Sequence, residues 1–164
     1  SGVQGSGLAV AFSAIESLVI KGGAGNDALD APAAAIDKAG VDRILTISDP
    51  SLRHYSVLRY RTALALAMQR VDPRIVLLPA TFMGRDLAPR VAARVGAALA
   101  TDVTELSIRD DGALDAVRPV YNGKAFCHVL FPKDRPALAS VRVNTFPAAS
   151  GGGGPAHRRR VPGS

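Results

Sequence analysis

One cysteine, no tryptophan and an aromatic content of only 5% set the first limits on this 164-residue chain. With Cys127 alone, no intrachain disulfide can form, and a reducing compartment is expected. Cys127 itself reads as a small core hydrophobe. No apolar run reaches the ~18–20 residues that a helix needs to cross a bilayer. The first residues have neither the basic start nor the long apolar stretch of a secretory leader, so a cytosolic or comparable interior location is expected. The scarcity of aromatics leaves much of the apolar content to alanine. Alanine buries little area per residue, so a tight, helix-rich core is expected, without heavy stabilisation.

Motifs of known chemistry are also missing. There is no phosphate loop ending in GK[ST] and no three-glycine dinucleotide fingerprint. His54, His128 and His157 lie far apart, and none has an Asp, Glu or Cys neighbour at metal-ligand spacing. Cys127 and His128 are adjacent on a strand and should face opposite ways, which disfavours a Cys–His catalytic pair. No G-x-S-x-G elbow surrounds Ser48 or Ser56. No catalytic constellation is found, and no metal site is expected. The formal charge is +6, and three of those charges sit on Arg158, Arg159 and Arg160. This basic tripeptide follows GGGGP and reads as part of a disordered end. A nucleic-acid contact is the lesser alternative, because no stacking aromatics accompany it.

What the chain does have is a βα rhythm. Ser1–Gly7 reads as a flexible lead. Ser17–Lys21 looks like a buried strand closed by Gly22-Gly23, and Asn26 or Asp27 can cap a helix running to about Ala39. Leu29, Ala33 and Ile36 would form its inner face. Val41–Ser48 is a second buried strand, followed by a helix over about Tyr55–Arg70. On that helix Val57, Arg61, Leu64 and Met68 form a stripe flanked by Leu58, Ala65 and Val71. Arg74–Leu78 is a third strand. It runs into a helix over about Gly84–Val95, with Leu87, Val91 and Val95 inward. After Ala98 short strands follow: Val103–Arg109, Leu114–Tyr121, Lys124–Phe131 and Ala137–Asn144. Asp111-Gly112 and Asn122-Gly123 mark hairpins among them. The expected fold class is α/β: a mostly parallel sheet with helices on both faces, plus an antiparallel strand extension.

Three features could carry function. The turn into the third helix offers free N–H groups, and Thr81, Gly84 and Arg85 are weak candidates for an anion site there. A tight turn without a ligand is the alternative. Arg85, Arg90 and Arg94 recur along the helix. They form either a solvated face, with Asp86 satisfying Arg90 at i+4, or a docking surface. Tyr121 and Lys124 flank a hairpin turn from which they could touch a partner.

Several motifs together resemble the N-terminal domain of the electron-transfer flavoprotein alpha subunit. They are VDRILTISDP (Val41–Pro50), the stretch from Leu77 to Gly96 with ATFMGRDLAPRVAARVG, TDVT (Thr101–Thr104), RPVYNGKA (Arg118–Ala125) and SVRVNTFP (Ser140–Pro147). Their order and spacing are those of the family, over roughly residues 17–147. The resemblance implies a three-layer fold related to adenine-nucleotide-binding hydrolase-like domains. It also implies a heterodimer with a beta subunit, which holds AMP where AMP is present. The family carries electrons through FAD, from acyl-CoA and other dehydrogenases to a membrane quinone reductase, in the bacterial cytoplasm or the mitochondrial matrix. No nucleic acid and no membrane insertion enter that role. This chain is then an electron-carrier subunit or fragment rather than an enzyme. Its docking residues would be Arg85, Asp86, Arg90, Arg118, Tyr121, Lys124 and Arg142.

Two departures from the family accompany the resemblance. No segment after Pro147 resembles the family's flavin-contacting motifs, so this chain alone is expected to hold no FAD, and residues 148–164 read as a disordered tail. Residues 1–16 read as atypical. Leu8–Phe12 and Ser17–Lys21 are too close to be consecutive parallel strands, since a crossover needs about a dozen residues. Either Leu8–Ile20 is one element, or the family's first strand is absent and the sheet keeps an unpaired interior edge. Two other roles remain open at this stage: a stand-alone adenine-nucleotide module at Thr81–Asp86, and a truncated fragment without function.

Overall fold

Alternation of apolar residues and well-placed breakers produce most of the elements. The computed structural model describes residues 8–12, 16–22, 43–146 and 157–162. The helix expected from Asn26 or Asp27 to Ala39 lies outside the described residues, as does the lead Ser1–Gly7. The strands are β1 (Leu8–Phe12), β2 (Glu16–Gly22), β3 (Arg43–Asp49), β4 (Ile75–Pro79), β5 (Ala98–Val103), β6 (Glu105–Ile108), β7 (Leu114–Val120), β8 (Ala125–Leu130), β9 (Ala137–Val141) and β10 (His157–Pro162). Among the described residues there are two α-helices, α1 (Val57–Val71) and α2 (Phe82–Val95). The fold is α/β, with parallel strand pairing, a separate antiparallel sheet and these helices, consistent with a three-layer arrangement.

The chain divides into two compact units, Ser1–Asp72 with Ala148–Ser164, and Pro73–Pro147. In the first unit β10 pairs parallel with β3, β3 parallel with β2, and β2 antiparallel with β1. Residues 8–12 and 17–21 are therefore neither one continuous element nor parallel neighbours. They form an antiparallel pair, which a short connection permits. Residues 157–162, expected within a disordered tail, form a strand on β3 in register His157↔Arg43 to Pro162↔Ser48. Composition could not reveal this, because backbone pairing with an existing strand needs no hydrophobic pattern of its own.

Helix α1 buries Tyr60, Ala63, Leu64, Ala65, Ala67 and Met68. The stripe lies closer to Tyr60 than the spacing indicates, and Leu58 points outward at 57% exposure. The buried Tyr60 hydroxyl donates to the Leu52 carbonyl at 3.1 Å, which satisfies its polar end. Burial pushes the Tyr60 pKa upward. Asp72 closes the helix in the left-handed region (φ 50°), and Pro73 prevents continuation.

In the second unit β9 lies between β4 and β5 and is parallel to both. This corrects the expectation that Ala137–Asn144 belongs to the antiparallel extension. Ala137, Leu138, Ala139 and Ser140 are all buried, as befits a central strand covered on both faces. The antiparallel sheet, in order β6-β7-β8, supplies Leu114 and Ala116 to a cluster with Ala100, Val103, Phe131, Ala137 and Ala139. Helix α2 packs against β4, β9 and β5, with Leu87 and Val91 fully buried. It starts two residues before the expected Gly84, because Thr81 caps it: Thr81 Oγ1 accepts from the Gly84 N–H at 3.2 Å. Pro89, within this helix, leaves the Arg85 carbonyl without its i+4 donor.

Gly84 holds the strand-to-helix turn together by what it lacks. A Cβ there would sit 1.8 Å from the Pro79 carbonyl oxygen. Gly84→Ala is expected to destabilise the protein by about 2 kcal/mol or more, through forced separation of β4 from α2. Urea unfolding measures this, and an unchanged midpoint would contradict the close approach. Leu87→Ala should cost about 2–5 kcal/mol in the same assay, as for other fully buried leucines.

Candidate functional site

The C-terminal ends of β5 and β9 carry a charged residue each, and those two residues meet. β5 shifts register against β9 between Ala100 and Val103, and within that irregularity Asp102 adopts φ 58°. Aspartate tolerates this left-handed conformation better than most side chains. The Asp102 N–H donates to Ser140 Oγ at 3.0 Å, and Ser140 is fully buried. The Asp102 carboxylate accepts from Arg142 Nε at 3.1 Å and from Arg142 Nη2 at 2.6 Å. Arg85, from the first turn of α2, brings its Nη2 to 3.6 Å from the same carboxylate.

These contacts fix the ionisation of the site. The hydrogen bonds from Arg142 hold the Asp102 pKa below the usual carboxylate value, with burial opposing. The positive charges of Arg142, Arg85 and Arg118 lower it further. The Arg142 pKa rises in return, chiefly through its hydrogen bond to Asp102.

A cavity of about 500 Å³ opens beside this pair, lined by Asp102, Arg118, Pro119, Val120, Tyr121, Asn122, Gly123 and Arg142. Its far wall is the turn between β7 and β8, where Tyr121 (φ 51°), Asn122 (φ 56°) and Gly123 (φ 82°) all take positive φ. Asn-Gly makes such a turn accessible, as the sequence indicates, whereas Tyr121 joins it against its intrinsic preference. The Tyr121 side chain stands 80% exposed. Phe82 opens α2 at 90% exposure, three residues before Arg85 and so on the same side of the helix.

Of the residues singled out in the sequence, the structure thus gathers Arg85, Arg118, Tyr121 and Arg142. Asp86 and Arg90 form an i,i+4 pair at 2.9 Å, and Lys124 is exposed past the turn without lining the cavity. At the helix start, the Gly84 N–H is already taken by the Thr81 hydroxyl, and Arg85 turns to Asp102. Cys127 is exposed, not a core residue, because β8 is an outer strand with little covering it. His128 Nδ1 lies 3.7 Å from Asp115, with its side chain 69% exposed. Among the described residues, no group of His, Cys, Asp and Glu is arranged to hold a metal ion. No helix among them is long and apolar enough to cross a membrane. Asp102 and Ser140 were not identified from the sequence. A charged residue inside the strand ALATDV was the available signal, since such a group must find a partner.

An α/β architecture with a charged cluster at the C-terminal ends of its parallel strands belongs to the broad class that places its functional groups at that edge. The chain belongs to the electron-transfer flavoprotein family, whose Electron transfer flavoprotein domain matches residues 17–162. The match passes the expected boundary at Pro147 and includes β10. The chain is 35% identical over 110 residues to electron transfer flavoprotein subunit alpha of Thermoanaerobacterium thermosaccharolyticum, covering 67% of this chain and 33% of that protein. It is 34% identical over 111 residues to the lactate dehydrogenase (NAD(+),ferredoxin) subunit LctC of Acetobacterium woodii, covering 68% and 27%. Against Protein FixB of Azorhizobium caulinodans it is 35% identical over 133 residues, covering 81% and 36%. The chain therefore spans about a third of the length of these curated relatives.

The Asp102–Arg142 pair makes stability pH-dependent with a definite sign. The folded pKa of Asp102 lies below its unfolded value of about 3.9, so the pair's contribution is present above that pH and fades as pH falls through the lower folded value. Arg142 is 44% exposed, so solvent screening keeps the contribution small. Asp102→Asn should lose that contribution at pH 7 and show a flatter stability profile between about pH 5 and 2. Urea midpoints across that range measure it, and parallel profiles for the two proteins would refute the assignment.

Proposed function

We propose that this chain is the alpha-subunit-type scaffold of a heterodimeric, FAD-dependent electron carrier, and that it docks a beta subunit. The observation carrying this reading is exposed Tyr121 on the cavity lined by Arg118 and Arg142, with Arg85 on the shared Asp102 and exposed Phe82 one turn before Arg85 on α2. Aromatic and arginine side chains are those that dominate protein interfaces. They are mounted here on strand ends and the first turn of a helix, where little ordering is left to be lost on binding. Lys124 and the Asp86–Arg90 pair extend the charged surface. The Thermoanaerobacterium relative is named as a subunit alpha, which supports a partnered role.

In this reading the chain carries no reaction of its own. The flavin is gripped by segments that the resemblance places outside residues 17–162, and residues 17–162 by themselves hold no FAD. Electron donors include acyl-CoA dehydrogenases of fatty acid oxidation and other dehydrogenases. The relative named as a lactate dehydrogenase (NAD(+),ferredoxin) subunit, LctC, supports a range wider than acyl-CoA substrates. The setting is the bacterial cytoplasm, or the mitochondrial matrix in a eukaryote. A nucleotide module at Thr81–Asp86 has less support, because the Thr81 hydroxyl occupies the N–H that such a ligand would use.

Co-production with the beta subunit encoded in the same genome tests the docking role. The two chains should co-elute as a stoichiometric complex. Combining Arg118→Glu with Tyr121→Ala should weaken it by about 2 kcal/mol or more, near 30-fold in Kd. Separate elution of the wild-type chains at micromolar concentration would reject docking. A yellow, flavin-loaded preparation of this chain alone would reject the division of labour.

A further inference from the structure

The cavity beside Asp102 carries more positive charge than its walls neutralise. Arg85, Arg118 and Arg142 all act on one carboxylate, that of Asp102. Arg142 spends Nε and Nη2 on it, and Arg85 stays at 3.6 Å. Arg118 lines the cavity, forms no ion pair among the described residues, and has its Nε buried without a hydrogen-bond partner. Burying an unpaired polar N–H is unfavourable. A built-in acid would be the simplest remedy, yet the nearby one is already committed to Arg142. The cavity lining, Arg118 and Arg142 against Asp102, leaves an excess of one positive charge, and Arg85, which contacts Asp102 without lining the cavity, raises the excess of the cluster to two.

We propose that this cavity is a binding site for a phosphate dianion, either free or as an organic monoester. The charge decides the class of ligand. One carboxylate would leave a positive charge uncompensated, whereas a dianion matches the excess. Planar guanidinium groups also present paired N–H donors that fit phosphate oxygens. In the bound state Arg118 donates to the ligand with its terminal N–H groups. Arg142 stays fixed by Asp102 and offers its remaining N–H groups. Asp102 aligns Arg142 and does not touch the ligand. The volume of about 500 Å³ falls within the range of about 300–1,000 Å³ typical of small-molecule sites, so there is room for an ester group. Tyr121 lines the same cavity with its side chain largely exposed, and its ring provides a face for that group. The inference needs no beta subunit and stands or falls separately from docking.

Calorimetric titration of the full chain with inorganic phosphate, phenyl phosphate and acetate, at constant ionic strength and pH 7.5, tests it. Phosphate should bind saturably at one site, and acetate at least tenfold more weakly. Tighter binding of phenyl phosphate than of inorganic phosphate would support the site and assign it to monoesters; equal binding would support it and assign it to the free ion. Lowering the pH to 5 should weaken phosphate binding several-fold, because a phosphate monoester loses its second charge near pH 6. Arg118→Gln should reduce affinity at least tenfold. If that variant fails to fold by circular dichroism, Arg118→Lys keeps the charge without the fork and should still lose several-fold. Absence of saturation by either phosphate up to about 10 mM, beyond the weak end of the affinity scale, would overturn the proposal. So would acetate binding as well as phosphate, or unchanged affinity in both Arg118 variants.

Discussion

The tie between β5 and β9 at Asp102 governs the whole charged edge of the second unit. One residue makes two attachments to the neighbouring strand: its N–H to the Ser140 hydroxyl and its carboxylate to the Arg142 guanidinium. The backbone bond fixes where the irregularity in β5 falls. The side-chain bonds fix where Arg142 points. A left-handed aspartate costs some backbone energy, and such strain persists only where the surroundings impose it. Here they do, because the Ser140 hydroxyl is buried and sits opposite the bend. Arg142 is thereby held at the cavity wall by a bidentate contact rather than moving freely at the surface.

The same tie sets the electrostatic character of the edge. Asp102 is ionised throughout the physiological range, as an ordinary carboxylate is, and the hydrogen bonds from Arg142 lower its pKa further, so the pair stays aligned. The positive excess is therefore a permanent property of this surface, not a switch. A permanent positive edge favours acidic partners and anions by steering as well as by contact, and this advantage weakens with salt.

Much of this architecture was legible in the sequence. Asp111-Gly112 and Asn122-Gly123 located the β6–β7 and β7–β8 turns, because so few residues accept positive φ. Asp72-Pro73 marked the end of α1, because proline removes a donor and clashes with the preceding turn. Leu87 and Val91 gave the inner face of α2 from their spacing. What could not be read depends on long-range pairing. Ala137–Val141 looks like any short apolar strand, and nothing local says that it inserts between β4 and β5. β10 carries no apolar alternation, so only its pairing with β3 reveals it as a strand. In the site, Arg85, Arg118, Tyr121 and Arg142 stood out by residue type. Asp102, which unites Arg85 and Arg142, did not, because its role depends on a bend that exists only once β9 is in place. Cys127 was misplaced because a strand at the edge of a small sheet need not be buried, whatever its composition.

The central position of β9 also dictates an order of assembly. β4 and β5 are consecutive parallel strands in the chain, yet they are not neighbours, and the gap between them is filled only by Ala137–Val141. During synthesis the ribosome must deliver both strands, α2 and the entire β6–β8 sheet before the piece that joins them emerges. Until then each of the two strands presents a row of unpaired backbone N–H and C=O groups on the side that β9 will fill. Such late, distant closure slows folding, since the entropy of a long loop is spent before its contacts are gained. This unit should therefore mature in a single late step, with the charged edge appearing only when the sheet closes.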